Sequence, residues 1–210
     1  MNEDLNANFK ADVEKEIDDL RMAGLIHLKE SEYLLGAEAE TPKFYGLPKI
    51  HKGFNPFPVF RPIVSGCNSC CERISNFVDY HLKPMAQRNA SFIRDTTDFL
   101  RKIKDLQIKS GSILVSADVT GLYTVIDHEE GAEACKEALD MKSLEDQTRL
   151  PSQYLKRLVK LILQSNCFTF LGRFFHQITG TAMGTPMAPS YANIFMGKVE
   201  KEVLRELASW

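Results

Sequence analysis

Apolar positions recur at helical spacing from the start of the chain. Phe9, Val13, Ile17 and Leu20 fall on one face, and Gly24 stands where such a helix would stop. Residues 41–65 hold five prolines, two glycines and several aromatics, so the pattern there predicts short strands joined by turns. Ser69, followed three residues later by Glu72, has the form of a helix-capping box, with Ile74, Phe77, Val78 and Leu82 as the apolar face behind it. A second helix is expected from about Asp95–Thr97, carrying Phe99, Leu100, Ile103 and Leu106. Ile113–Val119 alternates: Ile113, Val115, Ala117 and Val119 face one way, Leu114, Ser116 and Asp118 the other, which predicts a strand. Pro151 opens a helix with Tyr154, Leu155, Leu158, Val159 and Ile162 on one side. Cys167–Phe170 and Arg173–Gln177 flank Leu171-Gly172 as the arms of a β-hairpin. A loop of small residues and prolines, 180–189, then leads into a last helix. Pro189 suits its first turn, and its stripe is Tyr191, Phe195, Val199, Val203 and Leu207. The order is helix, short strands, two helices, strand, helix, hairpin, helix, an α+β arrangement without the regular alternation of a doubly wound sheet.

A chain of 210 residues buries one substantial core, and 44% hydrophobic with 26% charged residues is the balance of a globular protein. No apolar run reaches the roughly 18 residues of a membrane span, and the acidic N-terminus lacks a signal-peptide stretch. The expected location is intracellular, with no membrane partner. The net charge of −2 conceals a division. Residues 1–40 carry 4 Lys/Arg against 11 Asp/Glu, whereas residues 41–110 carry 12 against 5 and residues 111–210 carry 10 against 12. The basic middle is suited to phosphates, although a solvated charged face is the plainer reading. Cys67-x2-Cys70, followed by Cys71, has the spacing of half a zinc knuckle. No second Cys/His pair completes it, so these residues, with Cys135 and Cys167, read as buried thiols in a reducing compartment.

Three blocks carry more specific chemistry. FYGLPKIHK with FRPIVS, then SADVTGLYT, then GTAMGTPMAPSYANIFM, together spanning Phe44 to Met196, resemble the reverse transcriptases of Penelope-like retroelements, relatives of telomerase reverse transcriptase. The resemblance implies a right-hand polymerase: an acidic helical leader over 1–40, basic fingers over 41–110 and a partial palm over 111–210. It implies that Asp118 is the catalytic, metal-binding aspartate at the end of the first palm strand, holding Mg²⁺. A carboxylate suits that place because the metal activates the primer hydroxyl and bridges the incoming triphosphate. Tyr123 matches the aromatic under the nucleotide sugar, and Lys49 and Arg61 match the cations that grip the triphosphate. Gly184, Thr185, Pro186 and Pro189 match the loop that approaches template and primer. The implied partners are an RNA template, a DNA primer and deoxynucleoside triphosphates, in an intracellular and, for a retroelement, nuclear setting.

The chain also departs from the family pattern. Val125 and Asp127 stand where relatives have asparagine and proline. The hairpin of paired aspartates expected after the last helix has no counterpart: the last aspartate is Asp146, and after Met196 the only acids are Glu200, Glu202 and Glu206. The sequence therefore leads to the expectation of a truncated reverse transcriptase domain, lacking that hairpin and the thumb and not competent for catalysis. The alternatives are a non-catalytic nucleic-acid-binding module and a functionless remnant.

Overall fold

The computed structural model describes residues 6–36, 39–53, 56–141 and 150–208. Two helices come first, α1 (Asn6–Met22) and α2 (Leu28–Leu35), then strands β1 (Lys43–Pro48) and β2 (Phe60–Ser65). Four helices follow: α3 (Glu72–Ala86), α4 (Thr96–Ile103), α5 (Leu122–Val125) and α6 (His128–Asp140). Then come α7 (Ser152–Gln164), the hairpin β3 (Cys167–Phe170) and β4 (Arg173–His176), and α8 (Ala188–Ala208). The fold is α+β, with a single mixed sheet among the described residues, in the order β2-β1-β3-β4. β1 pairs antiparallel with β2 and parallel with β3, and β3 pairs antiparallel with β4.

Most elements form where the apolar pattern puts them. Val13, Ile17 and Leu20 of α1 are buried, and the helix ends in a Schellman motif. Gly24 has a φ of 69°, its N–H donates to the Arg21 carbonyl, and that of Leu25 donates to Leu20. In α3, Ile74, Val78 and Leu82 are fully buried. So are Leu155, Leu158 and Val159 of α7, each contributing on the order of 1.5–3 kcal/mol by leaving water. The β3–β4 turn has positive φ at both Leu171 (48°) and Gly172 (73°), the signature of a type I′ hairpin. One continuous core joins α1, α2, α3, α6, α7 and α8, with α3 packed against α2, α6, α7 and α8. Lys156 and Lys160 of α7 both pair with Glu129 of α6, fastening these two helices at their surface.

Four expectations need correction. Ile113–Val119 forms no strand: its residues have no hydrogen-bonded neighbour strand, and Ile113, Leu114 and Val115 are 86%, 98% and 79% exposed. Alternation supplies a face for burial, but a strand also needs an edge to pair with, and the four-stranded sheet forms elsewhere. Helix α4 forms, with the Asp95 carboxylate accepting from the Asp98 N–H as its cap, yet Phe99, Leu100 and Ile103 stay exposed. Ser69 does not cap α3. Cys71 occupies the cap, and Glu72 reaches back to the Asn68 N–H at 2.7 Å. The buried face of α8 runs through Tyr191, Ile194 and Gly197, while Val203 and Leu207 are exposed in its last turns. Periodicity gives no sign of helices α2, α5 and α6. Asp127 begins α6 by accepting from the N–H groups of Glu129 and Glu130.

Candidate nucleic-acid interface

The β1–β2 hairpin supplies the basic part of the site. Its register sets Leu47 opposite Arg61 and Pro48 opposite Phe60. The Lys49 N–H donates to the Val59 carbonyl at 2.7 Å, which carries the pairing one step further. Lys49 and Arg61 thereby become diagonal neighbours at the end of the hairpin where the 49–59 connection joins its strands. Arg61 is exposed and Lys49 half-buried, and neither makes an ion pair among the described residues. Lys43 and Lys52 extend the same basic region.

Loop 180–187 is fixed at both ends and in the middle. At its start the Gly180 N–H donates to Ile126 and the Thr181 N–H to Tyr123, at 3.1 and 2.6 Å. The His128 Nε2–H donates to the Gly180 carbonyl at 2.8 Å. Midway, the Val64 N–H of β2 donates to the Met183 carbonyl at 2.9 Å. At its end the Met187 N–H donates to the Ser75 hydroxyl of α3 at 3.0 Å, in a fully buried position. Two glycines make these approaches possible. A Cβ on Gly180 (φ 69°) would stand 2.3 Å from the Tyr123 carbonyl oxygen, and one on Gly184 (φ 129°) 2.2 Å from that of Val64. The glycine at 184 thus serves contact with β2 inside the fold. Thr185 and Pro186 are half-buried, and Pro189 lies exposed in the first turn of α8. Tyr123 is half-buried, with its ring against the core and its carbonyl bound to the loop.

All three sequence blocks therefore touch one loop: the first through Val64, the second through Tyr123, the third as the loop itself. Asp118 stands just before this junction, on the exposed segment that forms no strand. Among the described residues no group of three or more His, Cys, Asp or Glu side chains could hold a metal ion. Asp118, a single exposed carboxylate outside any such group, could supply at most one protein ligand to a Mg²⁺ ion, which draws on one or two carboxylates together with substrate phosphates, and no metal-dependent step follows from these residues. Asp146 lies outside the described residues. Glu200 of α8 accepts a hydrogen bond from the Ser91 hydroxyl, a structural use. Among the described residues no helix is long and apolar enough to cross a membrane.

Nearby acids are held in their charged forms for structural reasons. The amides of Glu130 and Glu129 keep the Asp127 carboxyl below its usual range, as an N-cap requires. Lys156 and Lys160 lower Glu129 to about 2. Sequence reasoning missed Gly180, His128 and Ser75, whose roles depend on partners 52 or more positions away. No spacing signal marks them. No protein-family model matches the chain, and no curated protein shows significant similarity to it.

Proposed function

We propose that the described residues are the fingers and part of the palm of a reverse-transcriptase-type domain that grips an RNA–DNA hybrid and a deoxynucleoside triphosphate. The observation that carries this reading is the meeting of the three blocks at loop 180–187, although they are far apart in sequence. Composition alone gives no reason for β2, the Tyr123 turn and the Gly180 loop to share hydrogen bonds. A template-gripping site gives one, because it must hold basic strands and a tightly fixed loop on one frame. In this reading Arg61 and Lys49 contact phosphates by charge-assisted hydrogen bonds, and residues 183–186, the part of the loop that reaches the surface, approach the hybrid. Asp118 belongs to the palm edge, and the hairpin and loop hold the hybrid.

A second reading, a binding module with no chemistry of its own, is favoured by the lone position of Asp118. The two share their first test. Binding of a recessed RNA–DNA hybrid is measured across a salt series for the parent and for Arg61→Ala. The expected result is affinity that falls steeply with salt, as phosphate contacts require, with Arg61→Ala weakening it by roughly 1–3 kcal/mol. Equal affinity of the two proteins at every salt concentration would count against Arg61 and the hairpin. Fusing a paired-aspartate hairpin to the chain then separates the readings. Primer extension that is lost in Asp118→Asn supports the polymerase, and its absence supports the binder.

A further inference from the structure

A second site lies where α3 meets β3, and it does not depend on the polymerase reading. Cys70 and Cys71 place their sulfurs 3.8 Å apart at the start of α3. Both line a cleft with Ser69, Ser165 and Cys167, and the cleft encloses about 30 Å³. That is room for one or two water-sized guests and too little for an organic ligand. We infer that Cys70 and Cys71 form a dithiol clamp for a thiophilic, closed-shell cation of the zinc and cadmium type. Two thiolates on one tetrahedral ion, each about 2.3 Å from it, stand about 3.8 Å apart, and the pair has that separation without rearrangement. Joining the two sulfurs to each other is the less favourable course. Sequence neighbours have Cα atoms about 3.8 Å apart, short of the roughly 4.4 Å at which unstrained disulfides begin.

The end of the helix favours the same use. Cys71 caps the N-terminus of a 15-residue helix, where the helix dipole favours negative charge. Cys70, partly exposed, is the first ligand. Binding releases one proton from each thiol to solvent, so a divalent ion meets two thiolates and the complex is neutral. Water fills the remaining positions, since no third protein ligand completes a cage among the described residues.

The test is a Cd²⁺ titration of the full, reduced chain, followed by the sulfur-to-cadmium charge-transfer absorption. One Cd²⁺ per chain is expected. Cys70→Ser should weaken binding at least about tenfold, and Cys67→Ser, an exposed thiol outside the cleft, should leave it within about twofold. No charge-transfer band in the parent, or unchanged binding in Cys70→Ser, would overturn the site. If Cys70→Ser does not fold, the parent is treated with a mono-substituted trivalent arsenical, which forms two As–S bonds with loss of one water. Peptide mapping should place that bridge on Cys70 and Cys71, and a bridge elsewhere, or none, overturns the proposal.

Discussion

Gly180 and Gly184 show how a loop residue can be fixed by backbone alone. Each sits at positive φ and brings the loop into contact with a carbonyl from a distant part of the chain. Gly180→Ala should lower stability by roughly 2 kcal/mol, because the conformation is strained for any L side chain and the new Cβ has no space. Thermal or urea unfolding checks this, and a change under about 0.5 kcal/mol would show that the loop is not held against Tyr123. Glu129 gives a pH signature. Its folded-state value of about 2 lies below the ordinary 4.5, so its contribution is complete above about 4.5 and is lost as pH falls towards 2. Glu129→Gln should therefore be less stable than the parent at pH 7, with the gap closing on acidification. A gap that does not change with pH would remove the Lys156 and Lys160 pairing as its cause. At this scale the sequence shows charge and shape but not partners. Lys49 and Arg61 are legible as cations, whereas the need for glycine at 180 depends on a carbonyl 57 positions earlier.

Elements are legible where burial follows periodicity. Helices α1, α3 and α7 and the β3–β4 hairpin bury or pair the residues that their patterns mark. The hairpin turn carries one imperfection: Leu171, a branched apolar residue, is exposed at a φ of 48°, where Asn is tolerated far better. Leu171→Asn should stabilise the chain by about 0.5–1 kcal/mol in urea unfolding, and a loss of stability would mean that Leu171 packs against something. Two elements depart from their patterns for opposite reasons. The alternation in Ile113–Val119 is real, but pairing is a property of neighbours, and none lies beside it. Helix α6 is real, but its buried residues, Gly131, Ala132, Ala134, Cys135 and Leu139, are mostly too small to mark an apolar stripe. Gly131 is pressed against the ring of Tyr191, the largest fully buried side chain.

For the whole molecule, composition and order indicate an α+β fold correctly, and the division of charge along the chain survives folding. The acidic segment forms α1 and α2, whose apolar faces join the core, and the basic segment begins with the β1–β2 hairpin. Convergence of the three blocks is not legible from any of them singly, because it is made by backbone hydrogen bonds between β2, the Tyr123 turn and loop 180–187. The proposed function rests on that junction being the surface that meets nucleic acid. Hydrogen exchange of the chain with and without an RNA–DNA hybrid reads this directly. Binding should slow exchange together in 43–53, 60–65 and the 180–187 loop, and leave α1 and α6 unchanged. No protection at the hairpin and loop, or protection confined to α1 and α2, would contradict the account.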